Sequence, residues 1–185
     1  MLLITRRRLS AAAGGTLAAG LGMRKPLAAT SDDVARKLVP VDPPAPPPEI
    51  AFAAADGTEH RLKEFIGHGM VINLWATWCV PCVAEMPSLA ALSKTLAPDD
   101  IAVLPLSSDR GGASVVQAFY QEHGITGLPV LLDPKGAAAR AWQARGIPTS
   151  VIIDRQGNTR ARLEGSADWS TPAAAALIRK LVGQS

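Results

Sequence analysis

The chain is poor in the residues that most often announce a function. Of its 185 residues, two are cysteine, three are histidine, and only 4% are aromatic. Two cysteines cannot build the multi-bridge framework of a small secreted scaffold. They also fall short of the four Cys/His ligands of a structural zinc site, because His60, His68 and His123 are scattered and there is no second Cys pair. A membrane span is missing too. The uncharged stretch from Leu9 to Met23 is shorter than the roughly 20 apolar residues a span requires, and glycines dilute it. No internal repeat occurs, which excludes a solenoid. The net charge of +3 suggests a basic protein, but Arg6, Arg7, Arg8, Arg24 and Lys25 all lie in the first 29 residues, where there is no acid. Without those five, 14 basic residues face 16 acidic ones, a net −2. The remainder therefore has no basic stripe for phosphates, and a nucleic-acid partner is excluded.

Residues 1–29 have the layout of an export signal: a basic cluster, Thr5-Arg6-Arg7-Arg8-Leu9, then the uncharged stretch, then Arg24-Lys25. Thr-Arg-Arg-x-Leu is similar to a twin-arginine signal, and an ordinary secretory signal carrying three arginines is the alternative. Either the segment is cleaved near Ala28 or Ala29, or it stays as a membrane tether. Residues 30–48 read as a linker ending in Val39-Pro40-Val41-Asp42-Pro43-Pro44-Ala45-Pro46-Pro47-Pro48. Clustered prolines fix φ and delete backbone donors, which predicts extended polyproline II. This piece is either a stiff spacer or a strap laid along the surface of the domain that follows, residues 49–185.

Within that domain, strand and helix patterns alternate. Ile50–Ala54 and His60–Leu62 flank Asp56-Gly57 and read as an N-terminal hairpin. Met70–Trp75 and Ile101–Leu106 are nearly continuous apolar runs, as expected of strands buried on both faces. Cys79 to about Leu96 carries Val83, Met86, Leu89, Leu92 and Leu96 at helical spacing, and Pro98 stops it. Ser114–His123 and Ala137–Trp142 are further helices, and Val130–Leu132 is a short strand. Ser150–Asp154 and Thr159–Glu164 form a second hairpin about Gln156-Gly157-Asn158. Thr171-Pro172 opens a last helix running to about Val182. The succession indicates an α/β layer fold.

Both cysteines fall in Cys79-Val80-Pro81-Cys82, directly between a strand and a helix. This is the sequence form of a redox dithiol. The spacing sets both sulfurs on the first turn of the helix, where its partial positive charge favours a thiolate. Cys79 at the exposed end is the expected attacking thiol, and Cys82, one turn inward, the resolving one. A purely structural disulfide would restrict the unfolded chain little across so short a loop.

Trp75-Ala76-Thr77-Trp78-Cys79-Val80-Pro81-Cys82, followed by Glu85-Met86-Pro87, resembles the TlpA/ResA-like branch of the thioredoxin superfamily. A second match lies downstream in Gly146-Ile147-Pro148-Thr149, Val151-Ile152-Ile153-Asp154 and Gly157. The resemblance covers roughly residues 40–183. It implies a thioredoxin-like fold: a central mixed sheet flanked by helices, with an added strand and helix between Pro98 and Leu128. It also implies a periplasmic thiol–disulfide exchange protein that needs no cofactor or metal beyond its Cys79–Cys82 disulfide. Its partners would be protein thiols and disulfides, and a membrane thiol-reducing electron donor. The typical role is reduction during maturation of cytochrome c or of copper centres in oxidases.

Carried onto this chain, Pro148 matches the cis-proline that faces the Cys pair, and the backbone of Ile147 would then pair with a substrate strand. Trp78 and Pro81 are the other expected substrate contacts. Glu85 matches an acidic position one helical turn after Cys82, from where it would raise thiol pKa values and relay a proton. A solvated helix residue is the alternative for Glu85. Asn73 stands where classical thioredoxins carry an Asp; it either moves proton handling to Glu85 or is a strand residue with a satisfied amide. Pro81, the absence of His between the cysteines, and Glu85 all favour a reductant. A thiol oxidase and a Cu(I) metallochaperone using the same pair are the competing functions.

Overall fold

The structure, a computed structural model, describes residues 33–183; the signal-like segment 1–29 lies outside them. Among the described residues, eight strands form one mixed sheet. Its centre is β4 (Gly69–Trp75), buried along its whole length. β4 pairs in parallel with β5 (Ile101–Ser107) and antiparallel with β7 (Thr149–Ile153). Beyond β7 come β8 (Thr159–Glu164) and β1 (Val39–Ala45); beyond β5 come β6 (Leu131–Leu132), β2 (Ala51–Ala54) and β3 (Glu59–Arg61). Crossover connections make the β4–β5 and β5–β6 pairs parallel; β2–β3 and β7–β8 are antiparallel hairpins, and β1–β8 and β2–β6 pair antiparallel between strands far apart in the chain.

The apolar run of β4 is explained by its two covered faces. Met70, Ile72 and Leu74 enter one core with Phe52, Leu104 and Val151. Val71 and Trp75 enter the other with the helices α2 (Val80–Leu96), α3 (Ala113–Glu122) and α5 (Pro172–Val182). α4 (Ala137–Ala141) packs on the first face through Ala138. α5 begins as its sequence predicts: Thr171 is the N-cap, its side chain accepts from the Ala174 N–H, and Pro172 follows it. The first hairpin turns at Asp56-Gly57, where Gly57 takes φ +86°, and β2 joins it to β6 as part of the main sheet.

Of the two readings of the proline-rich segment, stiff spacer or surface strap, the structure takes the strap, though as paired strand. Val39–Ala45 is not free polyproline II but an edge strand, with Val39 opposite Arg162, Pro40 opposite Ala161 and Ala45 opposite Thr159. A strand at the edge needs donors on one side only, so proline is tolerated there. Before it, the short helix α1 (Asp33–Lys37) buries Val34 in the core, and no local pattern in the sequence announces it. The Pro98–Leu128 segment supplies β5 and α3.

Candidate active site

β4 ends and α2 begins at the Cys pair. Cys79 is the N-cap of α2, and its Sγ accepts from the Cys82 N–H at 3.3 Å. A sulfur in that position takes up one of the free N–H groups of the first turn and sits at the positive end of the helix. The two sulfurs are joined as a disulfide, with Cα atoms 5.2 Å apart. The peptide bond between Ile147 and Pro148 is cis, and the Ile147 carbonyl oxygen lies 3.6 Å from Cys79 Sγ. Residues 68 positions apart are thus in contact, and Pro148 is buried beside the pair.

Cys79 is 6% exposed and Cys82 1%. The expectation of an open Cys79 therefore needs correcting: it is the less buried sulfur, yet the Ile147–Pro148 loop covers it. The two tryptophans beside the Cys pair divide. Trp75 is buried and stacks on Tyr120, whereas Trp78 is 68% exposed and, with Val80 and Pro81, forms an apolar rim.

Glu85 lies one turn past Cys82 on α2 and is 3% exposed, so it is no solvated helix residue. Its Oε1 accepts from Trp169 Nε1 at 2.5 Å and from Asn73 Nδ2 at 3.1 Å, while Oε2 is buried without a partner. The second Asn73 N–H donates to Ser150 Oγ at 3.0 Å. Asn73 thus has a satisfied amide and also holds the carboxyl of Glu85. Burial pushes the Glu85 pKa up to about 7, against the opposing hydrogen bonds of Trp169 and Asn73. Glu85 also lines a hollow of about 300 Å³ beneath α1, across from Lys37.

The sequence reading missed Trp169 and Ser150. Trp169 is 84 residues from Glu85, in a loop before α5, and nothing local marks its indole as a partner for a carboxyl. Ser150 shows only as a polar residue at the start of a buried strand.

The AhpC/TSA family model matches residues 43–162. The chain belongs to that family. Among curated relatives, the thiol-disulfide oxidoreductase ResA of Geobacillus kaustophilus is 29% identical over 119 residues, spanning 64% of this chain and 67% of that one. The thioredoxin-like protein YneN of Bacillus subtilis is 33% identical over 112 residues, spanning 60% and 64% respectively. A solved exposed lipoprotein thioredoxin, Etrx1 of Streptococcus pneumoniae, superposes with a TM-score of 0.60 at 25% identity, covering 71% of this chain and 98% of its own. Within the family, the similarity to ResA agrees with the TlpA/ResA-like motifs in the sequence. The fold is thioredoxin-like and the protein is a thiol–disulfide oxidoreductase.

Proposed function

We propose that the protein is an exported reductant of protein disulfides, with Cys79 as the attacking thiol and Cys82 as the resolving thiol. What supports this most is the placement of Cys79 Sγ at the N-cap of α2 against the Ile147 carbonyl. In the dithiol form, the Cys79 thiolate attacks one sulfur of a partner disulfide. A mixed disulfide forms, and the other partner sulfur leaves as a thiolate. Cys82 then loses its proton and attacks Cys79 Sγ. The second partner thiolate departs, two electrons have passed to the partner, and Cys79–Cys82 is closed. Glu85 is the group that takes the Cys82 proton, since a carboxyl with a pKa of about 7 exchanges protons readily near neutrality.

In this reading Trp78, Val80 and Pro81 form the apolar contact surface for the partner, and the Ile147 backbone pairs with its strand. A membrane dithiol donor returns the pair to the reduced state. Residues 1–29 export the domain through a twin-arginine-like signal or tether it at the membrane; the pneumococcal neighbour is, by its name, an exposed lipoprotein. The partners are apo-cytochrome c or copper-oxidase subunits. The deciding measurement is the reduction potential, by equilibration with dithiothreitol or glutathione buffers and counting of free thiols. A value well below about −200 mV is expected, whereas one near the roughly −120 mV of a strong oxidant would reverse the direction.

A further inference from the structure

The carboxyl ends of β4 and β5 meet beside the Cys pair, and a buried carboxylate there has no part in the chemistry just described. Asp109 lies two residues past β5 and is 3% exposed. Its Oδ2 accepts from the Thr77 N–H at 2.9 Å and from Ser107 Oγ at 2.7 Å, and its Oδ1 accepts from Thr77 Oγ1 at 2.7 Å. Its own N–H donates to Ser107 Oγ at 3.0 Å, which leaves the Ser107 hydroxyl proton for the carboxylate. All three contacts to its side-chain oxygens are accepted ones.

Thr77 is therefore gripped twice, by backbone and by side chain. It is the second residue of the turn Ala76–Cys79, which the Cys79 N–H closes onto the Ala76 carbonyl at 3.1 Å. The third residue of that turn is Trp78 and the fourth is Cys79. Backbone bonds fix both ends of the segment: the Ser108 N–H donates to the Trp75 carbonyl at 2.9 Å, and the Val83 N–H to the Cys79 carbonyl at 3.0 Å. The middle of the turn is held by Asp109, from the loop that follows β5.

We propose that Asp109 is a positioning residue for thiol–disulfide exchange: by clamping Thr77 it fixes the turn that points Trp78 outward and seats Cys79 at the head of α2. Exchange needs three sulfurs in line, and an error of about 1 Å in a reacting atom costs on the order of a hundredfold in rate. A turn free to rock about Thr77 would move Trp78 and Cys79 together. Contact with the partner and attack on its disulfide would be impaired at once.

The inference rests on Cys79 being the attacking thiol, and its test keeps the two claims apart. Reduction of insulin disulfides is measured for Asp109→Ala, Asp109→Asn, Thr77→Val and the Asp109→Ala/Thr77→Val double variant, each well below its unfolding midpoint. Asp109→Ala should lower kcat/KM by about tenfold or more. Thr77→Val, which removes only the hydroxyl half of the clamp, should lose about threefold. Asp109→Asn keeps the shape and one acceptor oxygen for the Thr77 N–H, and should recover most of the rate. The double variant should be no slower than Asp109→Ala, because both changes act on one contact.

Losses that multiply in the double variant would overturn the proposal. So would an Asp109→Asn variant as slow as Asp109→Ala, or a wild-type rate in a merely less stable Asp109→Ala. Should Asp109→Ala fail to fold, a wild-type rate in Thr77→Val overturns it. Cys79→Ser is the control. If it leaves exchange intact, the assignment of Cys79 falls; if it abolishes exchange while Asp109→Ala does not slow it, only the role of Asp109 falls.

Discussion

Glu85 ties the proposed proton transfer to stability in one residue. Its pKa rises from 4.5 to about 7 because burial disfavours the charged form. The folded chain then holds this proton more tightly than the unfolded chain does, so the contribution is fully present below pH 4.5 and is lost as pH rises through about 7. The shift corresponds to about 3 kcal/mol. Urea titrations from pH 4.5 to pH 8 should show the wild-type protein losing about that much more stability than Glu85→Gln, which cannot ionise; parallel curves would place the carboxyl in a well-solvated site. The two sulfurs differ as well. Cys79 caps α2, and Cys82 is buried behind it. Brief alkylation of the reduced protein near neutral pH, read by peptide mass spectrometry, should mark Cys79 many times faster than Cys82, and equal labelling would remove the distinction.

At the scale of elements, most of what positions the site can be read from the sequence. β4 and α2 are each a strong periodic signal, and the Cys pair between them needs no tertiary information. The cap of α5 is equally local, and replacing Thr171 with Ala should cost about 1 kcal/mol in chemical unfolding; no measurable change would mean that the Ala174 N–H finds another acceptor. What stays hidden is long-range. β1 lacks alternation and is full of prolines, so only β8 on its flank makes it a strand. The indole of Trp169 meets Glu85 because α5 and α2 pack on the same face of the sheet. Neither contact has a signature within a window of the chain.

Across the whole molecule, stability and the proposed recognition surface are kept apart. The two cores flank the sheet along its length, whereas the apolar rim of Trp78, Val80 and Pro81 stands at the head of α2 and buries little. Leu89→Ala, at a fully buried position on α2, should therefore lower unfolding free energy by about 2–5 kcal/mol. Trp78→Ala should leave it within about 0.5 kcal/mol while slowing reduction of a protein disulfide more than that of a small one. A Trp78→Ala variant that discriminates between the two substrates as the wild-type protein does would show that the rim makes no contact.

The outer strands bear on how such a molecule behaves in a crowded compartment. On one side lies β1, interrupted by Pro40, Pro43 and Pro44; on the other lies β3, three residues long and carrying Glu59 and Arg61. A strand without a continuous row of amide donors, and one too short and charged to extend, are poor templates for a further chain. A protein that exchanges disulfides with other polypeptide chains is thereby a poor seed for their aggregation, and for edge-to-edge stacking of its own copies.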